Sequence, residues 1–402
     1  MNAMPTTQSP AASADEVLAL LREICLPLET ESVSLRDACG RVLREPVRAP
    51  EDQPAFDRSS VDGYAVRLDD DAEAFHIADE IRAGEWKLRQ LQRGEAVRIA
   101  TGGALPCDGL RVVMKENVTI SDGNVCVLRR EPERNIRFRG EDAHTGQTLV
   151  DVGTLLQPGA LGLLASVGHT QPIVTRLPRL VHLATGSEIV APESQPQHGQ
   201  IRDSNSTLVR AFLNQRGIEP RQFRVPEDVA TAHSTLEAVA ADTDLLLVSG
   251  GASVGEHDFT RQLFERRGYE ILVSKTTARP GKPLIVAQRG NALAFGLPGN
   301  PLAHFVCLNL YVRAALDAFA GLPNESPFQR GTLAAGFDAG GNRRETFWPA
   351  RCRANTLTPL RWSSSGDLTS LSTANALIRV SSGTRQLGAG SAVEFVLTGT
   401  VL

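Results

Sequence analysis

The sequence has no basic run. Its 42 Lys and Arg are outnumbered by 46 Asp and Glu, for a net charge of −4 and a pI near 6.1. Nucleic acid is therefore not an expected partner, because phosphate binding leaves a basic footprint. Long apolar runs are also missing: stretches such as Leu161–Val167 fall far short of the roughly 20 residues that span a bilayer. No membrane partner is expected. The six cysteines, at positions 25, 39, 107, 126, 307 and 352, form no CxxC and no paired spacing. That excludes a disulfide frame or a cysteine zinc site and implies reduced thiols in a cytoplasm. The eight histidines contain neither HExxH nor HxH, which removes a histidine metal site. Residues 1–14 are rich in Ala, Ser, Thr and Pro but lack a basic start and an apolar block. They read as a disordered tail, not a signal peptide.

What is present centres on Asp244–Ser249 running into Gly250–Gly251–Ala252–Ser253–Val254–Gly255–Glu256–His257–Asp258. A short, wholly apolar run suggests a strand buried on both faces of a parallel sheet. Adjacent glycines let the backbone turn tightly and bring its N–H groups to a ligand. A polar helix over about Phe259–Arg267 follows, and helix starts suit anions. Asp258 adds a carboxylate at the same edge, which calls for a cation between it and any anion. Alone, this turn is a weak phosphate signal, since it lacks the P-loop lysine and the full GxGxxG.

A length of 402 residues suggests two to four domains. Residues 15–29 have helical spacing at Val17, Leu18, Leu20, Leu21 and Ile24, and a second short helix is expected over about Leu35–Val42. Pro46, Pro50 and Pro54 mark an extended loop, and Asp62–Gly63 opens a tight turn into a strand. From there to about Arg139 the pattern is β, with Ser121–Asp122–Gly123–Asn124 as a hairpin turn. Gly159–Val167 returns to a short helix. Residues 178–320 alternate strand and helix: Leu180–Ala184, a helix capped by Asp203 or Ser204, Asp244–Ser249, Leu284–Ala287, Ala292–Phe295, then an amphipathic helix over about Ala303–Ala320. Such βαβ alternation predicts a mostly parallel three-layer sheet, whose ligands bind beyond the strand carboxyl ends. Three motif-like loops, 185–188, 250–258 and 296–301, fall at such ends. Residues 328–402 revert to short strands and read as a small separate β domain.

Seven pieces in order carry a resemblance. They are Ser-Val-Asp-Gly-Tyr-Ala-Val at 60–66, Thr-Gly-Gly-Ala-Leu-Pro at 101–106, Arg-Gly-Glu-Asp at 139–142 and Thr-Gly-Ser-Glu at 185–188. Gly-Gly-Ala-Ser-Val-Gly-Glu-His-Asp at 250–258, Arg-Pro-Gly-Lys-Pro at 279–283 and Gly-Leu-Pro-Gly-Asn-Pro at 296–301 complete the series. From about residue 15 onward the chain resembles the molybdopterin molybdenumtransferase family, which includes bacterial MoeA and the E domain of gephyrin.

The resemblance implies a multidomain α/β protein: a three-layer, mostly parallel molybdopterin-binding domain with a split helical N-terminal domain, an inserted β domain and a C-terminal β barrel. The corresponding divisions are a tail 1–14, a split domain 15–46 plus 140–176, an insert 47–139, the α/β domain 177–325 and the barrel 326–402. It implies a homodimer, with the site formed between the α/β domain of one protomer and the inserted domain of the other. The implied reaction inserts molybdate into adenylylated molybdopterin, releases AMP and needs Mg²⁺. Asp62, Glu188, Asp258, Lys275 and Arg279 match catalytic positions, and Asp62, Glu188 and Asp258 are the expected Mg²⁺ ligands. Thr101, Gly250, Gly251, Ser253, Lys282, Pro298, Asn300, Pro301 and Ser365 match substrate-binding positions. Other cofactor-biosynthesis proteins and apo-molybdoenzymes are implied partners.

The residue chemistry suits those substrates. Lys275, Arg279 and Lys282 supply positive charge for phosphates and a dianionic metal oxyanion. Mg²⁺ prefers a few carboxylates together with substrate phosphates. Departures from the family pattern are Ser187 where Asp is common, Arg279 where Lys is frequent, and Pro349 where an arginine is often found, with Arg344 and Arg351 close by. An alternative is a carrier paralogue that holds molybdopterin or finished cofactor without turnover. Intact Asp62, Glu188 and Asp258 argue against it.

Overall fold

In the computed structural model the described residues are 11–239, 242–250, 256–323 and 325–399. They divide into two compact units. One comprises Met1–Val33, Gly40–Arg44 and Ile173–Leu402; the other comprises Ser34–Cys39 and Glu45–Pro172.

The first unit is built on a six-stranded sheet. Its spatial order is Arg221–Val225, Leu180–Thr185, Leu245–Ser249, Ala292–Leu297, Ile285–Arg289 and Glu270–Val273. The first four run parallel. Only Ile285–Arg289 opposes its two neighbours, so the sheet is mostly parallel, as the alternation predicted. Every residue of Leu245–Ser249 is buried, and its side chains alternate between two cores. Leu245 and Leu247 pack with Leu180, Leu293 and Phe295; Leu246 and Val248 pack with Val181, Leu183 and Ala294. A period of two buried on both faces is the signature of a central strand under helices on either side.

Helix Ala14–Ile24 covers the first face through Val17, Leu18 and Leu21, beside Val209 and Leu213 of Asn205–Asn214. Its start is a capping box: the Glu16 amide donates to Ser13 Oγ (3.2 Å), and the Ser13 amide donates to the Glu16 carboxylate (2.7 Å). Pro301–Cys307, the π turn Leu308–Val312 and Arg313–Ala320 form one continuous helix in the same core. It is 20 residues long and apolar enough to cross a membrane, but 78% of its most apolar window is buried. It is the helix expected over about Ala303–Ala320, begun two residues earlier, and it is a core helix. Leu263 and Phe264 of Glu256–Arg266 cover the opposite face with Ala232 and Leu236 of Val229–Val239. Glu256–Arg266 begins three residues earlier than expected.

The C-terminal residues close a five-stranded barrel: Gln329–Leu333, Thr356–Pro359, Thr346–Arg353, Ala376–Val380 and Ala392–Leu397. Leu333, Ala350, Leu357, Ile378 and Phe395 fill it.

The second unit holds another six-stranded sheet, ordered Leu110–Met114, Gly63–Arg67, Glu95–Ile99, Ala74–Ile81, Asn124–Val127 and Val118–Ser121. Asp122 (φ 51°) and Gly123 (φ 75°) join the last two, with Ser121 opposite Asn124. Positive φ at both positions is the two-residue hairpin turn that Asp-Gly favours. Gly63 has no room for a side chain, since a Cβ there would lie 2.1 Å from the Val113 carbonyl oxygen.

The second short helix expected at Leu35–Val42 does not form. The Asp37 amide donates to the Ser34 carbonyl (3.0 Å), Ser34 Oγ donates to the Asp37 carboxylate (2.7 Å), and Gly40 takes φ +76°. Serine and aspartate side chains that bond the local backbone or each other favour turns over helix.

Candidate active site

The three motif loops leave one edge of the main sheet, because Ala184 pairs Ser249 and Ser249 pairs Leu297 in register. Thr185 Oγ1 donates to the Ser249 carbonyl (3.2 Å), and a Cβ on Gly250 would sit 2.8 Å from that hydroxyl. Glycine is thus required where the loop begins. Gly251 and Ser253 lie outside the described residues. Asp258 falls within Glu256–Arg266, but its side chain also lies outside them. Gly186 has φ +136°, and a Cβ there would meet both carboxylate oxygens of Glu188, at 2.8 and 2.9 Å. Glu188 therefore folds back over the loop at this edge, half-buried.

The Pro298–Pro301 loop is anchored through its carbonyls. His304 Nδ1 donates to Pro298 O (3.1 Å), Asn205 Nδ2 to Gly299 O (2.8 Å) and the His304 amide to Asn300 O (2.9 Å). Pro301 occupies the first helical turn, where its missing N–H has no cost. Asn300 Nδ2 donates to Ser365 Oγ (3.1 Å), and the Leu302 amide donates to Ser365 O (3.0 Å). Asn300, Pro301 and Ser365 are thus brought together.

The loop carrying Lys275, Arg279 and Lys282 reaches the same edge. It follows Glu270–Val273 and precedes Ile285, which pairs with Gly296. Thr276 ties it: its amide donates to Lys282 O (2.9 Å) and its hydroxyl to Gly281 O (3.1 Å). Lys282 is exposed and Lys275 half-buried. The Arg279 backbone is held on both sides, its amide donating to Glu345 O (2.8 Å) and its carbonyl accepting from Phe347 N (2.7 Å). The Arg279 guanidinium lies 4.9 Å from the Trp362 ring centre. Arg344 Nη1 donates to Ala278 O (3.3 Å). Burial and then the neighbouring Arg279 hold the Arg344 pKa below its ordinary value. Pro349 is buried in the barrel opposite Leu377, and Arg351 is exposed. Arg344, then, carries the charge beside the loop, and Trp362 had no motif to reveal it.

Beneath the edge lies a buried polar line that sequence reasoning missed. His182 Nε2 is 2.7 Å from Ser249 Oγ, and Gln222 Nε2 is 3.0 Å from His182 Nδ1. Arg210 Nε donates to Gln222 Oε1 (2.9 Å), which turns the amide group toward the imidazole. We accordingly assign His182 the Nε2–H tautomer, donating to Ser249. Burial, helped by His304, lowers the His182 pKa to about 3; burial lowers that of His304 to about 4. Both rings are neutral at physiological pH, and His304 is packed in the core.

In the second unit, Asp62 and Thr101 meet. Asp62 Oδ1 accepts from the Thr101 amide and hydroxyl, both at 2.8 Å, and Oδ2 accepts from Lys115 Nζ at 2.9 Å. The Thr101 amide and then Lys115 hold the Asp62 carboxyl well below the usual carboxylate range. Lys115 carried no sequence signal: it becomes relevant only because Met114 pairs Gly63.

Asp62 and Glu188 belong to different units. Among the described residues no three His, Cys, Asp or Glu gather to hold a metal. Both Asp62 and Glu188 are carboxylates, the donor type that Mg²⁺ takes together with phosphate oxygens.

The chain matches three family signatures in succession: "MoeA N-terminal region (domain I and II)" over residues 12–168, "Probable molybdopterin binding domain" over 182–318, and "MoeA C-terminal region (domain IV)" over 330–398. Molybdopterin molybdenumtransferase of Bacillus subtilis (strain 168) is 34% identical over 389 residues, 92% of this chain and 90% of the relative. That of Staphylococcus epidermidis (strain ATCC 12228) is 29% identical over 404 residues, 96% and 95% of the two chains. The crystal structure of the molybdopterin biosynthesis MoeA protein from Pyrococcus horikoshii OT3 is similar, with a TM-score of 0.80 and 27% identity. It covers 96% of this chain and 100% of that one.

Proposed function

The chain belongs to the molybdopterin molybdenumtransferase family, and from that membership we propose that it inserts molybdate into adenylylated molybdopterin, releasing AMP in a Mg²⁺-dependent reaction. The observation that carries this reading is the convergence of four loops, 185–188, the turn opening at Gly250, 298–301 and 274–284, on one sheet edge. The last of them brings Lys275, Arg279 and Lys282. A phosphorylated pterin, an adenylyl group and a dianionic oxyanion need several cations, and this edge supplies them.

In this reading Lys275 and Arg279 neutralise the oxyanion and the phosphoanhydride, with arginine giving bidentate contact and lysine a point charge. Gly250, Gly251, Ser253, Lys282, Pro298, Asn300, Pro301 and Ser365 hold the substrate, and Thr101 acts through Asp62. Glu188, Asp258 and Asp62 would hold Mg²⁺, which when bound neutralises phosphate oxygens and lowers the pKa of a coordinated water. Asp62 stays ionised throughout the neutral range, so it serves as an acceptor and not as an acid. Assembly as a cytoplasmic homodimer that serves other cofactor-biosynthesis proteins and apo-molybdoenzymes completes the proposal. A single 43.2 kDa species in sedimentation would remove the dimer.

The test is incubation of purified protein with adenylylated molybdopterin, Mg²⁺ and molybdate, followed by assay of AMP. Molybdate-stimulated AMP release is the expected result. Tight pterin binding without it would replace the enzyme by a carrier.

A further inference from the structure

Arg344 Nη1 donates to the carbonyl of Ala278, the residue before Arg279, so the two arginines are neighbours of like charge, and among the described residues neither forms an ion pair with a carboxylate. Their backbones are joined through the bonds of Arg279 to Glu345 and Phe347, and Arg344 reaches Ala278 O. Two guanidinium groups held together repel each other unless an anion lies between them. A flexible arginine would swing away, but Arg279 is held over an indole. Trp362 is itself fixed: its Nε1 donates to Ser364 O (2.6 Å), and its ring stands edge-on to Trp348 at 5.0 Å and 82°. Trp348 in turn is pinned by Nε1 donating to Leu360 O (2.8 Å) and by Phe337 at 4.8 Å. An unbroken aromatic line thus runs from the barrel core to the Arg279 side chain.

We propose that Trp362 is a positioning residue that fixes the Arg279 guanidinium plane beside Arg344, so that the two arginines grip a doubly charged tetrahedral oxyanion. The inference rests on the assignment of Arg279 to the oxyanion in the proposed function. It also explains why an arginine suits this position: a planar guanidinium stacks on an aromatic face and presents two parallel N–H groups, which an ammonium does not. The same segment carries Ser365, bonded to Asn300, so one stretch of the barrel sets both the stacked arginine and the 298–301 loop.

The experiment compares wild type, Trp362→Leu, Trp362→Phe, Arg279→Ala and the double variant Arg279→Ala/Trp362→Leu. Molybdate affinity is read by equilibrium dialysis, and thermal midpoints confirm folding. Trp362→Leu is expected to weaken molybdate binding about 3- to 10-fold, the range of a partly exposed cation–π contact. Trp362→Phe, which keeps a ring face, restores most of it. In the Arg279→Ala background Trp362→Leu should add nothing, because a residue acting through Arg279 is silent once Arg279 is gone. An equal loss in that background, or wild-type affinity in Trp362→Leu, overturns the positioning role. Should Trp362→Leu fail to fold, Trp362→Met, which also lacks a ring face, carries the test alone and with Arg279→Ala: a loss present in both backgrounds, or in neither, overturns it, and a loss seen only where Arg279 is retained supports it. Unchanged affinity in Arg279→Ala overturns the underlying assignment instead.

Discussion

The two charged clusters differ in how their charges are met. In the second unit Asp62 is satisfied within its own cluster, by Thr101 on one oxygen and Lys115 on the other. At the sheet edge of the first unit Arg279 and Arg344 face no carboxylate partner among the described residues, and a ring face and a carbonyl support them instead. A neutralised cluster is ready to hold a geometry; an uncompensated one is ready to receive an anion. Exposed ion pairs contribute little to stability, so the Asp62–Lys115 pair adds little to the fold.

Several substitutions would break or sharpen that contrast. The largest effect is expected from Asp62→Asn, with turnover falling on the order of 100-fold while the urea midpoint stays within error of wild type; a lowered midpoint would make the cluster structural. Glu188→Gln should raise the Mg²⁺ concentration for half-maximal AMP release by about 10-fold, and an unchanged requirement would remove Glu188 from the metal. Gly250→Ala drives a Cβ toward Thr185 Oγ1, an overpacking cost of about 1–3 kcal/mol. Thr185→Ala in the same chain should recover part of the urea midpoint.

Acidity probes the buried line below the edge. Both histidines have folded pKa values below their ordinary one, so as pH falls through about 6.5 the unfolded chain takes up their protons first. Stability should be full above that pH, decline below it, and level off below about 3 to 4. Each histidine contributes a slope of up to about 1.4 kcal/mol per pH unit. Urea midpoints of His182→Gln should show the shallower slope, and an unaltered slope would deny the burial argument. The smallest effect is Ser13→Ala, about 1 kcal/mol from a lost helix cap, with AMP release unaffected.

Local order was legible in the sequence where one principle acted alone. The apolar run Leu245–Val248 gave a strand buried on both faces, and Asp122–Gly123 gave its hairpin turn. The three strand-end loops were readable because βαβ alternation puts them on one edge. Residues brought together by pairing across long sequence separations were not. Lys115 meets Asp62 through a sheet register, Trp362 meets the Arg279 side chain from a distant loop, and His182 reaches Ser249 between adjacent strands. None has a local pattern. The expected helix over Leu35–Val42 failed for the opposite reason: Ser34, Asp37 and Gly40 closed a local turn first.

The contrast between the clusters is tested most directly by molybdate binding to wild type, Arg279→Ala and Asp62→Asn in equilibrium dialysis, without the pterin. Arg279→Ala should weaken binding by at least about 10-fold, and Asp62→Asn should bind as wild type does. Equal affinity in all three, or loss in Asp62→Asn alone, would contradict it.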